Sequence, residues 1–77
     1  MKVTVKFFAS LRDRFDIDTQ TQVIGDSSTV MDVWNAVTEG KEMPVNVLTA
    51  VNADYVMTDY VMNEGDEVAF FPPVTGG

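Results

Sequence analysis

One stretch of this chain carries a sustained helical repeat, and it restricts the fold more than any other feature. Val30, Val33, Trp34 and Val37 recur at i, i+3, i+4 and i+7, the spacing that puts side chains on one face of an α-helix. Thr29 stands where an N-cap hydroxyl is wanted, Asp32 follows near the positive helix end, and Gly40 offers a C-terminal stop. A single helix with one apolar stripe can bury it only by lying across one face of a sheet. Trp34, in register with apolar companions, is expected at the centre of the core rather than as a ligand platform.

The remaining segments read as strands. Lys2 to Phe8 alternates with period two, aiming Val3, Val5 and Phe7 at the core and leaving Phe8 on the solvent side. Ala9 to Phe15 places Leu11 and Phe15 four apart after Ser10, a possible cap, and predicts a short helix. Asp16 to Ile24 is a Thr- and Gln-rich strand with Ile17, Thr19, Thr21 and Val23 on one face and an exposed other side, paired with the first strand. Gly25–Ser28 is a turn cluster, and Lys41–Asn46 is a polar connector containing Pro44. Val47–Val51 suits a buried strand, Asn52–Asp54 a turn, and Tyr55–Met57 a short strand. The direct repeat Asp54–Thr58 and Asp59–Asn63 has a period of five, which fits neither helix nor strand, and is read as accidental. Asn63–Asp66 is a turn signal, and Glu67–Phe71 is a last strand apolar on both faces, as strands are that lie centrally in a sheet or are half covered by another protein. The fold class expected is α+β, with one helix gripped by a mixed sheet.

At 77 residues the chain supplies one hydrophobic core, and a stability of about 5 to 10 kcal/mol is the ceiling for such a domain. A formal net charge of −7 repels phosphate backbones and argues against nucleic-acid binding. All five basic residues, Lys2, Lys6, Arg12, Arg14 and Lys41, precede an acidic second half, which would steer the domain toward a basic partner. With no Cys and no His, thiolate nucleophiles, thiol metal sites and the commonest general base are missing, and no metal site is expected. No apolar run is long enough for a bilayer and no basic-then-apolar leader follows Met1, so the expectation is a cytoplasmic protein with no membrane partner.

The end of the chain holds the functional signal. Phe70-Phe71-Pro72-Pro73-Val74-Thr75-Gly76-Gly77 starts as strand, is stiffened by two prolines that favour extended backbone, and finishes in residues without a Cβ that can enter a narrow channel. A domain over residues 1–71 with an extended arm over 72–77 is the organisation expected. Fraying is the default for chain ends, but a frayed end needs no aromatic pair and Pro-Pro stiffener before it.

The segment Gly65-Asp66-Glu67-Val68-Ala69-Phe70-Phe71-Pro72-Pro73-Val74-Thr75-Gly76-Gly77 resembles the C-terminus of the small, sulfur-carrying subunits of molybdopterin synthase. The resemblance extends to Phe7-Phe8-Ala9, Leu11-Arg12, Thr29-Val30 and Val51-Asn52 and covers most of the chain. Where relatives often place Thr-Pro-Leu before the final turn, this chain has Tyr60-Val61-Met62.

The resemblance implies a ubiquitin-like β-grasp: a mixed sheet of four to five strands packed on one main helix, plus a short helix. It implies that Gly77 is adenylated with ATP by an adenylyltransferase similar to ubiquitin-activating enzymes. The product is converted to a thiocarboxylate and donates sulfur to cyclic pyranopterin monophosphate on the large synthase subunit. The catalytic site is expected on that subunit, in a heterotetramer of two small and two large chains, and no cofactor stays bound here. Gly76, Thr75, Val74, Pro73 and Pro72 then form the passage segment, and Phe71, Phe8 and Arg12, with Val74, the partner contacts. A thiamin-pathway sulfur carrier and a ubiquitin-like protein modifier are the alternatives.

Overall fold

The last strand of the chain is the middle strand of the sheet. The structure, a computed structural model, describes residues 1–73, in the order β1 (Lys2–Phe7), α1 (Ala9–Phe15), β2 (Thr19–Val23), α2 (Val30–Thr38), β3 (Leu48–Val51), β4 (Asp54–Tyr55) and β5 (Glu67–Phe71). The sheet runs β2-β1-β5-β3-β4. β5 lies parallel to β1 and antiparallel to β3, with Phe7 beside Phe70 and Leu48 beside Phe71. This central place accounts for a strand that is apolar on both faces.

Val3, Val5 and Phe7 of β1 and Val68 and Phe70 of β5 face the helix and are buried, as their alternation requires. α2 lies over them through Val30, Val33 and Trp34. The ring of Phe7 stacks on Trp34 at 5.2 Å, while Phe15 and Phe70 meet it edge-on at 4.9 and 5.1 Å, geometries that add to the burial energy of each ring. The indole N–H donates to the Lys41 carbonyl at 2.7 Å, so the polar handle of the buried ring is satisfied and the chain leaving α2 is held against the core. At the other helix end Thr29 and Asp32 form a reciprocal capping box: Thr29 N donates to Asp32 Oδ2 at 2.8 Å, and Asp32 N donates to Thr29 Oγ1 at 3.2 Å.

Several expectations are corrected. Thr19, Thr21 and Val23 form the solvent face of β2, and Val23 is 66% exposed. The hairpin register sets Gln22 opposite Val3 and Gln20 opposite Val5, and directly opposed residues share a face, so the glutamines turn toward the helix. Thr and Gln differ too little in polarity for composition to choose the side. Ser10 does not cap α1; the cap position is Phe8, with no side-chain bond.

α2 ends at Thr38; the residue after it, Glu39, itself adopts left-handed backbone (φ 59°), and Gly40 follows at φ 80°. The turn after β3 is only Asn52-Ala53, both with positive φ, so Asp54 already pairs with Val51 and β4 starts earlier than predicted. The two copies of the pentapeptide repeat differ in structure. Met57 is 77% exposed and Met62 is 2% exposed, which agrees with reading the repeat as accidental.

Candidate docking face and C-terminal exit

Residues on β5 that point away from the helix are Glu67, Ala69 and Phe71, and pairing sets Ala50 beside Ala69 and Leu48 beside Phe71. Tyr55, opposite Ala50 across the β3–β4 hairpin, shares this outer face and is 75% exposed. Small alanines on two neighbouring strands leave a floor between larger side chains. The result is a shallow cavity of about 280 Å³ lined by Phe8, Ala50, Ala53, Tyr55, Glu67, Ala69 and Phe71.

Phe8 reaches this face because the chain turns sharply after it. Its backbone is extended (φ −120°, ψ 151°), its N–H donates to the Phe70 carbonyl at 3.1 Å, and Ala9 then takes φ 51° to start α1. The left-handed alanine is strained by about 1 kcal/mol. It leaves the Phe8 ring on the outer face, where it stacks on Phe71 with centroids 4.7 Å apart and planes 11° apart. Two aromatic rings therefore sit side by side where the chain leaves the sheet. Beside them Lys6 and Glu67 form an ion pair at 3.6 Å, exposed enough to contribute little stability.

Phe71 and Phe8 are thus brought together, and Pro72 and Pro73 follow directly, both half-buried. Arg12 is exposed on α1 and does not line the aromatic cavity; its N–H donates to the Phe8 carbonyl at 3.4 Å. Val74, Thr75, Gly76 and Gly77 lie outside the described residues. Sequence reasoning missed Tyr55, Ala50 and Ala69. The signal for Ala69 was present in the alternation of the last strand; Tyr55 needed the two-residue turn to be placed correctly. Among the described residues no group of His, Cys, Asp or Glu is arranged to hold a metal ion. No described helix is long and apolar enough to cross a membrane. The face offers apolar area and shape.

Residues 5–77 match the model of the ThiS family. The chain is 41% identical to the molybdopterin synthase sulfur carrier subunit of Escherichia coli, over 97% of this chain and 99% of that protein. The crystal structure of SAMP1 from Haloferax volcanii superposes with a TM-score of 0.85 at 24% identity, over the full length of both chains, a likeness of fold. A chain of the protein–protein complex of subunits 1 and 2 of the molybdopterin-converting factor from Helicobacter pylori shares the fold with a TM-score of 0.70, 21% identity and full coverage of both chains. With its helix held by a five-stranded mixed sheet and a family match that reaches from β1 to Gly77, this chain is a ubiquitin-like β-grasp protein and belongs to the ThiS family.

Proposed function

We propose that this protein is the sulfur carrier of a molybdopterin synthase and delivers sulfur from the carboxyl end of Gly77. The observation that carries the reading is the stacked Phe8–Phe71 pair at the exit of β5. It joins an apolar docking face to the segment that ends in Gly76-Gly77, so a partner that binds the rings also receives the terminus. The relative in Escherichia coli is named for this role, and the Helicobacter pylori complex pairs a protein of this fold with a second subunit.

A carboxylate is a poor acyl donor because its charge repels nucleophiles and oxide is a poor leaving group. Attack of the Gly77 carboxylate on the α-phosphorus of ATP, catalysed by an adenylyltransferase partner, expels pyrophosphate and forms an acyl-adenylate. A sulfur nucleophile then displaces AMP and leaves a thiocarboxylate. On the large subunit that sulfur attacks cyclic pyranopterin monophosphate, and hydrolysis of the acyl link returns the free carboxylate. Two such deliveries complete the dithiolene. The chain supplies the reagent and the large subunit supplies the catalytic groups, which accords with the absence of Cys and His. Pro72 and Pro73 hold the approach extended, Gly76 admits passage, and Phe8 and Phe71 anchor the body.

The test is the intact mass of the protein after incubation with an adenylyltransferase of this class, ATP and a sulfide source. The expected gain is the mass difference between sulfur and oxygen, and the loaded protein then yields molybdopterin with the large subunit. A variant with residues appended after Gly77 must remain folded but give neither product. Unchanged molybdopterin synthesis by that extended, unprocessed variant would overturn the proposal. Capture of the acyl group on lysines of other proteins, with no sulfur transfer, would favour a modifier.

A further inference from the structure

β2 forms one margin of the sheet, and its hydrogen-bond parity shows which groups it leaves free. Met1 and Ile24 exchange both backbone bonds, at 2.7 and 2.8 Å, and Phe7 N donates to Asp18 O at 2.8 Å. Bonded and non-bonded pairs alternate in an antiparallel ladder. Gln22 and Gln20 therefore spend their backbone groups on Val3 and Val5, whereas Thr19, Thr21 and Val23 sit at the non-bonded positions opposite Lys6, Thr4 and Lys2. The N–H and C=O groups of these three residues point away from β1, and all three residues are exposed. Among the described residues, the Val23 carbonyl accepts only an exposed contact from the neighbouring Gln22 side chain at 3.2 Å.

Edges like this are usually protected by proline, lysine, a bulge or extreme shortness. The opposite margin, β4, has only two residues. β2 has five, reads Thr-Gln-Thr-Gln-Val, and contains neither proline nor charge. Its flanks are acidic: Asp16 and Asp18 precede it and Asp26 follows. Pairing with a second copy about Thr21 would bring Asp16 of each chain toward Asp26 of the other, between molecules that each carry a net charge of −7. The same carboxylates attract a cationic strand.

We propose that the open edge of β2 binds an extended segment of a partner protein. That segment is β-branched or apolar in its middle, carries Lys or Arg at both ends, and joins the sheet as an added strand. Thr19, Thr21 and Val23 supply the main-chain bonds, and Asp16, Asp18 and Asp26 select the charge. β1 separates β2 from β5, which puts this edge about 10 Å from the exit strand. The outer face with Phe8, Tyr55 and Phe71 stays uncovered, so the edge can be occupied while the C-terminal end is in use. The inference does not depend on what that end carries.

The probe is an acetylated, amidated peptide, Lys-Arg-Val-Thr-Val-Thr-Val-Arg-Lys, titrated into the isotope-labelled full chain and followed by NMR. The expected result is amide shifts and slowed hydrogen exchange concentrated at Thr19, Thr21 and Val23, with affinity falling as salt is added. Thr21→Pro removes an outward N–H without touching the β1 ladder and is expected to weaken binding by roughly tenfold or more. Should that variant unfold, Asp16→Lys with Asp26→Lys tests the charge selection, again with roughly tenfold weaker binding expected. The proposal is overturned if the shifts map to the Phe8, Tyr55 and Phe71 face, if the variant that folds binds as tightly as the parent, or if no binding occurs at millimolar peptide. A parent chain that dimerises through β2 would overturn the choice of occupant.

Discussion

Phe8 and Phe71 are 63 positions apart in the chain, the difference of their numbers, yet their rings lie nearly parallel with centroids 4.7 Å apart. The contact depends on the parallel pairing of β1 with β5 and on the left-handed Ala9 that ends the first strand. Phe71→Ala removes the ring nearest the exit. We predict a loss of about 2 kcal/mol or more in affinity for the large subunit, the scale of an aromatic interface anchor. Stability should fall by less, since the ring is only half-buried. Calorimetric titration beside urea denaturation separates the two; equal binding by the variant would remove the face from the docking model.

Trp34 is the sole tryptophan, fully buried and in contact with three phenylalanine rings. Trp34→Ala is expected to cost about 3 to 5 kcal/mol, much of what a domain of this size possesses. Far-ultraviolet circular dichroism against urea should show a midpoint lowered by about half or more. A midpoint close to that of the parent would mean the cluster is not the centre of stability.

The Asn52 side chain ties the β3–β4 turn to the start of β5. Its Nδ2 donates to Asp66 Oδ1 at 2.9 Å, and Glu67 N donates to its Oδ1 at 3.0 Å. Asp66, itself buried, also accepts from Asn63 N at 2.8 Å. Asn52→Ala leaves these groups short of partners, with an expected destabilisation of about 1 to 3 kcal/mol. Chemical denaturation measures it, and slowed exchange at the Glu67 amide should be lost in the same variant.

Ala53 holds φ 73° directly after Asn52 at φ 50°, a two-residue turn of the kind that favours Asn-Gly. Ala53→Gly should therefore stabilise by about 1 kcal/mol and raise the melting temperature by about 4 to 8 °C. A lower melting temperature would show that the unfolded-state entropy of glycine outweighs the relief.

The two helix starts give a paired control. Thr29→Ala breaks the capping box and should cost about 1 kcal/mol, whereas Ser10→Ala touches no cap bond and should be near neutral. Reversal of that order in thermal denaturation would contradict the assigned helix boundaries.

The main helix was legible because Val30, Val33, Trp34 and Val37 contrast sharply with their neighbours, whereas the apolarity of β5 on both faces left open a central place or a face covered by a partner, and only its pairing with β1 and β3 decides for the first. β2 was placed but turned over, because Thr and Gln give an alternation without a hydropathic sign and only pairing with Val3 and Val5 fixes the face. Phe8 and Phe71 could be singled out separately as exposed aromatics near the exit. Their stacking, and the inclusion of Tyr55 and two alanines in one cavity, arise from register across three strands, which local patterns do not encode.

Because β5 sits between β1 and β3, a pull on its C-terminal end against an anchored Met1 loads both ladders along their length. The parallel run of β1 and β5 makes the load a shear, in which many hydrogen bonds must fail together rather than unzip in turn. The body is therefore a mechanical stop: traction along β5 is met by both ladders at once, and the strand is held along its length instead of peeling away residue by residue.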